Sequence, residues 1–267
     1  MQLHVEIRGV GEPLLCLHGH PGSGRSMAVF TEHLSRQFRT IAPDLRGYGR
    51  SVARSPFTMD THLADLVALL DCTGSDRCLV LGWSLGGILA LELALRHPQR
   101  VAGLILIATA ARPRGSHPPI TWADSAYTAI ASLINRAIPG WQWNINTFGQ
   151  RSLYRYLLQQ HTPAAYRRLA TEGFPAYLRT SRHAQAALSA AIKGGYNRLP
   201  DVGRLTCPSL VLCGECDRHI TPQSSQETAH ALPNSTLKTY PHVAHLFPWE
   251  IPDQVRQDIE TWLTQAR

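Results

Sequence analysis

Short apolar runs alternate along the chain with longer stretches in which apolar residues recur every three or four positions. The runs have the length of strands, and the longer stretches have the period of helices, as in 59–70 with apolar residues at 59, 63, 66, 67 and 70. This alternation predicts an α/β fold with a mostly parallel sheet covered by helices on both faces. The predicted strands are 3–7, 14–17, 38–42, 78–81, 103–108, 208–213 and 236–240; the predicted helices are 26–37, 59–70, 88–97 and a last one that runs to about residue 264.

The alternation stops between Arg112 and Pro200, where the pattern is helical and no strand is evident. Thr162-Pro163 is typical of a helix start, with an N-cap threonine before a proline in the first turn. We therefore predict that 1–111 and 201–267 form the α/β core and that 112–200 is an inserted helical cap, or lid.

Residues 78–87 carry the strongest chemical signal in the sequence. An apolar strand runs into Gly82-Trp83-Ser84-Leu85-Gly86, and a helical pattern follows at once. Strand, Gly-x-Ser-x-Gly turn and helix in this order predict a nucleophile elbow, which exposes the serine hydroxyl above the sheet. Ser84 is therefore the candidate nucleophile.

A serine hydroxyl needs a base that accepts its proton and an acid that orients the base. With this elbow, the acid and then the base follow the serine along the chain, each in a loop after a strand. Asp217 occupies the first loop and is the candidate acid, with Glu215 as its nearest alternative. His245 is the preferred base over His242 in the last such loop, and His219 is interpreted as a loop residue.

A tetrahedral oxyanion requires N–H donors that are already in position. One is expected from Leu85, which follows the nucleophile, and the second from the loop after the strand 14–17. We assign the second donor to the backbone of His20. His18 is expected to hold this loop by hydrogen bonding, and Arg46 is expected to bond the backbone of a neighbouring loop, 44–51.

Aromatic residues concentrate in the predicted cap. They are candidates for the lining of an apolar acyl pocket, with packing of the cap as the alternative for any one of them. Trp83, beside the nucleophile, is expected to border the site. The cap residues concerned are Trp122, Trp141, Trp143, Phe148, Tyr154 and Phe174.

Charge is unevenly distributed over the 267 residues. The net charge is +7, but 112–200 contains eleven Arg or Lys residues against two acids, a balance of +9, which leaves −2 for the rest. A basic cap predicts an anionic partner: an anionic substrate, a phospholipid surface or an acidic carrier protein. Nucleic acid is not expected, because the chain shows no nucleic-acid-binding motif.

Composition and cysteine usage indicate a cytoplasmic enzyme. Hydrophobic residues make up 44% of the chain, the N-terminus lacks a signal-peptide pattern, and the longest uncharged apolar stretch, 101–111, is too short to span a bilayer. Six cysteines without such a signal suggest reduced thiols. Cys213-x-x-Cys216 lacks the further ligands that a metal site requires, so no metal is predicted.

Four motifs, in order, resemble those of the α/β-hydrolase fold superfamily over nearly the whole chain. The resemblance implies that fold, a Ser84–His245–Asp217 triad and no cofactor. Epoxide hydrolases and haloalkane dehalogenases of this superfamily carry aspartate where this chain has Ser84, so acyl transfer to serine is expected. The motifs are His18-Gly19-His20-Pro21-Gly22, Asp44-Leu45-Arg46-Gly47-Tyr48-Gly49-Arg50-Ser51, Gly82-Trp83-Ser84-Leu85-Gly86-Gly87, and the pair Asp217 and His245.

Within the superfamily, the elbow hexapeptide and the basic cap resemble the esterases that cleave pimeloyl-acyl-carrier-protein methyl ester. That resemblance implies hydrolysis of a carboxylic ester or thioester and docking of an acidic carrier protein on the cap. The early loop departs from that family by lacking its usual tryptophan, and Ile88 replaces the arginine usual in a related lyase of menaquinone synthesis. C–C hydrolases, cofactor-free peroxidases and ligand receptors that retain the triad stay open as alternatives.

Overall fold

A seven-stranded sheet organises the chain in the computed structural model, which describes residues 2–265. The strand order is β1-β3-β2-β4-β5-β6-β7, with β1 antiparallel to β3 and all other neighbours parallel. The strands are β1 (Val5–Arg8), β2 (Pro13–Leu17), β3 (Arg39–Pro43), β4 (Cys78–Trp83), β5 (Val101–Ile107), β6 (Ser209–Gly214) and β7 (Ser235–Tyr240).

Helices connect the strands and cover the sheet. They are α1 (Ala28–Leu34), α2 (Met59–Cys72), α3 (Leu85–Arg96), α4 (Trp122–Ala137), α5 (Gln142–Thr147), α6 (Pro163–Arg168), α7 (Phe174–Leu178), α8 (Arg182–Lys193), α9 (Leu199–Val202), α10 (Pro222–Ala231), α11 (Phe247–Glu250) and α12 (Pro252–Gln265). The predicted fold is confirmed, and each predicted strand is present within a few residues. The helix predicted for 26–37 is shorter, because a 3-10 turn, Gly24–Met27, precedes α1.

Both faces of the sheet are buried. In β4, Leu79 and Leu81 contribute to the apolar core on one face, and Cys78 and Val80 contribute to the core on the other. A strand covered on both sides reads as a continuous apolar run rather than as an alternating one. The central strand β4 is therefore held rigidly, and its carboxyl end is a fixed position for Ser84.

The segment 112–200, called the insertion below, carries helices α4 to α8 and lies between β5 and β6. Polar side chains join its helices from within. The Ser132 hydroxyl lies 2.6 Å from the Tyr154 hydroxyl, and Asn135 Nδ2 donates to the Tyr166 carbonyl at 2.7 Å. None of the helices within residues 2–265 combines the length and the apolarity needed to cross a bilayer.

Candidate active site

Ser84 lies on the sharp turn between β4 and α3. Its backbone has φ 54° and ψ −114°, a strained conformation for a residue with a side chain. Glycine is required on both sides because there is no space for a Cβ. At Gly82 it would lie 2.4 Å from the Gly86 carbonyl oxygen, and at Gly86 it would lie 2.0 Å from the Leu17 carbonyl oxygen.

The three predicted triad side chains meet at this turn. His245 Nε2 lies 3.1 Å from Ser84 Oγ, and His245 Nδ1 lies 2.8 Å from Asp217 Oδ2. The other carboxylate oxygen of Asp217 accepts the backbone N–H groups of His219 and Ile220 at 2.8 and 2.9 Å. All three triad residues are buried. The arrangement can pass a proton from Ser84 to an imidazole whose orientation the carboxylate determines.

The two alternative residues lie away from these contacts. Glu215 is exposed, and its loop turns so that Asp217, two residues later, faces inward. His242 lies in a turn with φ 57° and is exposed, whereas His245, three residues further along the chain, is buried. The geometry favours the preferred assignments, and the catalytic roles themselves stay predictions.

His219 lies against the candidate base. The sequence predicted it only as a loop residue and gave no sign of this contact. Its ring is edge-on to His245 with centroids 4.7 Å apart, and it stacks on His117 at 6.0 Å. His117 stacks in turn on Tyr156 at 5.6 Å. Loss of hydration beside the neighbouring residues is the main cause that lowers the pKa of His219 to about 3, and the His245 imidazole adds to it. Part of the residue is nevertheless exposed to solvent. His219 is therefore a neutral wall of the site at physiological pH.

The loop after β2 packs directly on the nucleophile. A Cβ at Gly19 would lie 3.2 Å from Ser84 Cβ. His18 holds this loop: its Nδ1 lies 2.7 Å from the Gly19 carbonyl oxygen, and its Nε2 accepts the Leu45 N–H at 3.0 Å. One ring nitrogen must donate while the other accepts, so the imidazole is neutral. Burial lowers its pKa to about 4, which agrees with this state.

The proposed oxyanion donors belong to elements that lie beside Ser84. Leu85 is the first residue of α3, where unpaired N–H groups and the helix dipole favour negative charge. His20 follows Gly19, and its side chain is held by Tyr48, whose hydroxyl lies 2.9 Å from His20 Nδ1. Burial lowers the pKa of His20. The donor roles of His20 and Leu85 stay predictions.

Glu250 anchors the loop that carries His245, a role that the sequence interpretation did not assign. Its carboxylate accepts the backbone N–H of Ala244 at 2.8 Å, and those of Gln159 and Gln160 at 3.0 and 2.5 Å. Burial raises the pKa of Glu250, against the effect of these three hydrogen bonds. One side chain thus connects the His245 loop to the insertion.

The aromatic residues proposed for an acyl pocket fall into two groups. Trp83 is buried in the core with its ring edge-on to Phe30 and Trp249, and its indole N–H donates to the His245 carbonyl at 3.4 Å. It therefore supports the His245 loop from behind.

The three tryptophans predicted for the pocket lie at the surface of the insertion, whereas Tyr154 is buried and Phe148 and Phe174 are half-buried. Trp141, Trp143 and Phe148 form a chain of ring contacts with centroids 4.8 and 5.7 Å apart, and both tryptophans are exposed. Trp122 is exposed on the first turn of α4. Their assignment to a substrate pocket stays a prediction.

Arg46 differs from its expected role. Its guanidinium donates to both carboxylate oxygens of Asp65 in α2 at 2.6 Å, because a bidentate carboxylate partner lies within reach. The backbone of the 44–51 loop is instead held by Asp44, which accepts the N–H groups of Gly24 and Arg50 at 2.7 Å.

The cysteines are free thiols. Cys213 lies in the buried strand β6, and its Sγ is 3.4 Å from Oγ1 of Thr239 in the neighbouring strand β7. Within residues 2–265, no group of three or more His, Cys, Asp or Glu side chains is arranged to hold a metal ion.

Comparison with known proteins agrees with this geometry. A family model described as the alpha/beta hydrolase fold matches residues 12–252. The chain is 31% identical to a pimeloyl-[acyl-carrier protein] methyl ester esterase of Chromobacterium violaceum over the full length of both, and 32% identical to that of Edwardsiella ictaluri over 76% of this chain and 74% of the relative. A thermophilic esterase from Thermogutta terrifontis superposes with a TM-score of 0.73 at 28% identity, covering 99% of this chain and 93% of the esterase. The chain belongs to the α/β-hydrolase fold family and is an ester hydrolase.

Proposed function

We propose that this enzyme hydrolyses a carboxylic ester through a covalent acyl-enzyme on Ser84. His245 Nε2 accepts the proton of Ser84 Oγ as the oxygen attacks the ester carbonyl. Asp217 accepts a hydrogen bond from the Nδ1–H group of His245 and stabilises the imidazolium that forms. The N–H groups of Leu85 and His20 bind the oxyanion.

The tetrahedral intermediate collapses when His245 returns its proton to the leaving alkoxide. Water then attacks the acyl-enzyme with His245 again as base, and the acid is released with Ser84 restored. The observation that supports this proposal best is the continuous chain of contacts from Ser84 Oγ through His245 to Asp217, at 3.1 and 2.8 Å.

Hydrolysis of p-nitrophenyl esters from acetate to dodecanoate tests the proposal. We expect multiple turnovers in the wild type and a fall of at least about 10⁴-fold in kcat for Ser84→Ala and for His245→Ala. His242→Ala is the matched control, because it removes the exposed histidine of the same loop. Equal activity of wild type and Ser84→Ala would contradict the assignment of the nucleophile.

A carrier-borne ester is the second candidate substrate. Two relatives that match most of this chain are named pimeloyl-[acyl-carrier protein] methyl ester esterases, and the insertion has an excess of nine positive charges. Arg151 and Arg182 in the insertion are exposed, so they are available to an acidic protein. Such attraction raises association rates and is weakened by salt.

Comparison of an acyl methyl ester on an acidic carrier protein with the same ester in free form tests this candidate. We expect a higher kcat/KM on the carrier, lowered by added NaCl and by Arg151→Gln/Arg182→Gln. Arg36→Gln/Arg54→Gln is the control, because these arginines are also exposed but lie outside the insertion. Equal kcat/KM for the two forms would exclude carrier docking and leave ester hydrolysis intact.

A further inference from the structure

The outward side of α4 is apolar. Trp122 and Leu133 are 84% and 63% exposed, and Ile130 is exposed beside them. With about 100° between successive helix residues, these side chains lie within an arc of roughly 120°. Three exposed alanines, 126, 129 and 137, complete the arc.

Further exposed apolar residues follow the end of α4 in the chain. Ile138, Trp141 and Trp143 are exposed, and the two indole rings contact each other. The chain has six tryptophans, and the other three, at positions 83, 249 and 262, are buried. All the exposed tryptophans therefore lie on α4 or in the segment 138–143 that follows it. We call these exposed apolar residues together the α4 face: residues 122, 126, 129, 130, 133, 137, 138, 141 and 143.

The inward side of α4 explains why its apolar side remains outside. It is occupied by polar groups that the insertion satisfies internally: Asp124 pairs with Arg155, Ser132 bonds Tyr154, and Asn135 is also buried. Burying these groups without partners would cost free energy. The orientation of the helix is thus determined by its hydrogen bonds, and the α4 face is available to an external partner.

The charge around the α4 face is positive. Arg136 lies on α4 and is exposed, and a Cβ at Gly140 would lie 3.2 Å from a guanidinium nitrogen of Arg167. The two acids of the insertion are both paired, Asp124 with Arg155 and Glu172 with Arg168. An exposed apolar strip with unbalanced arginines beside it is complementary to an apolar phase with anionic groups at its border.

We propose that the α4 face binds the surface of an anionic phospholipid bilayer. Helix α4 would lie parallel to the membrane plane over about 24 Å, with its indole and aliphatic side chains among the acyl chains and Arg136 and Arg167 at the phosphates. Tryptophan favours this interface because its ring is apolar and its N–H is polar. The proposal assigns Trp122, Trp141 and Trp143 to membrane binding instead of to a substrate pocket, and it requires no particular ester substrate.

Other occupants fit the α4 face less well. A second copy of the chain would bring two cationic insertions together. An acidic carrier protein would pair with arginines and leave the tryptophans and aliphatic residues uncovered. Patches of this kind on a folded protein mark either a protein partner or a membrane. The combination of exposed tryptophans with arginines beside them favours an anionic membrane.

Sedimentation with vesicles tests the proposal. Wild-type protein is mixed with vesicles of equal parts phosphatidylglycerol and phosphatidylcholine, and with vesicles of phosphatidylcholine alone. We expect binding to the anionic vesicles that weakens with NaCl, and a loss of at least about tenfold in affinity in Trp122→Gln/Leu133→Gln. The matched control is Ile7→Gln/Val10→Gln, which removes apolar side chains that are 50% and 84% exposed. Ile7 lies in the edge strand β1, far along the sheet order from β5 and β6, between which the insertion occurs. This control is expected to bind like wild type.

A second measurement reports insertion directly. Lipids brominated on their acyl chains should quench the tryptophan emission of bound protein, because the exposed indoles all belong to the α4 face. Arg136→Gln/Arg167→Gln should reduce affinity for the anionic vesicles by severalfold. Near-ultraviolet circular dichroism verifies that each variant is folded.

Several results would overturn the proposal. They are absence of binding to the anionic vesicles, equal binding to both vesicle types, and equal loss in the control and the Trp122→Gln/Leu133→Gln variant. Concentration-dependent dimerisation that this variant abolishes would assign the α4 face to a second copy. Displacement of bound vesicles by an acidic carrier protein, with quenching absent, would assign it to that carrier.

Discussion

Helices α3 and α4 are both rich in apolar residues, but they are arranged oppositely. The first ten residues of α3 are all buried, because this helix packs between the sheet and the elements that cover it. In α4 the buried residues are Asp124, Ala131, Ser132 and Asn135, whereas Trp122, Ile130 and Leu133 are exposed. An apolar stripe therefore indicates that a helix has two different sides, but the partners of its polar side decide which of them faces the protein.

The difference has a functional counterpart. Helix α3 begins at Leu85, directly after Ser84, and neighbouring backbone leaves no space for a Cβ at Gly86 in its first turn. The outward side of α4 has no such restriction. Substitutions near the start of α3 should consequently have large effects on activity or stability. Each variant is compared with a control substitution at a position where little effect is expected.

Among substitutions outside Ser84 and His245, the largest effect is expected for Asp217→Asn. The amide would leave His245 in a tautomer that is unable to accept the serine proton, and a loss of roughly 10³- to 10⁴-fold in kcat is typical of such a change. Unfolding should remain cooperative, because the side-chain volume is preserved. The control is Glu215→Gln in the same loop, and kcat for a p-nitrophenyl ester is the measurement. Similar losses in both variants would contradict the assignment of Asp217 as the acid.

Gly86→Ala tests the restricted space at the start of α3. The added methyl group would lie 2.0 Å from the Leu17 carbonyl oxygen, so either β2 or the helix must move. We expect a loss of about 3 kcal/mol in the free energy of unfolding. Gly203→Ala is the control, since its Cβ would lie 3.7 Å from the nearest atom, at negative φ. Equal urea midpoints for the two variants would refute this explanation of the glycine.

The sequence allowed the strands, the elbow and the acid and base to be predicted because each depends on local pattern and chain order. Apolar runs identify β4, and Gly82 and Gly86 identify the turn. Contacts between distant segments leave no such pattern. The edge-on contact of His219 with His245 and the bidentate pair of Arg46 with Asp65 depend on where separate segments meet, and so does the outward orientation of the apolar side of α4.

Glu250→Gln tests the connection between the core and the insertion. The carboxylate accepts three backbone N–H groups, and an amide would direct its own NH₂ group at one of them. We expect a loss of about 2 kcal/mol in stability, with kcat reduced severalfold because the His245 loop is less well held. Chemical denaturation and ester hydrolysis are measured on the same preparation. Unchanged stability and kcat would show that the loop is positioned by its other contacts, such as the Leu246 N–H bond to the Leu157 carbonyl.

The smallest effect concerns the dependence of stability on pH. His62 is buried between the rings of Tyr48 and Phe57, with its Nδ1 lacking a hydrogen bond, and burial lowers its pKa to about 4. The unfolded chain binds a proton near pH 6.5 that the folded protein resists, so the stabilisation is complete above pH 6.5 and is lost as the pH falls toward 4.

The wild type should therefore lose about 2 kcal/mol between pH 7 and pH 5 through this one residue. His62→Leu should reduce the fall by that amount, whereas His230→Leu, at an exposed position, should leave it unchanged. His18, buried with a similarly lowered pKa, keeps part of the pH dependence in either variant. Urea titrations at the two pH values measure the difference, and parallel curves for wild type and His62→Leu would show that His62 is not a source of acid sensitivity.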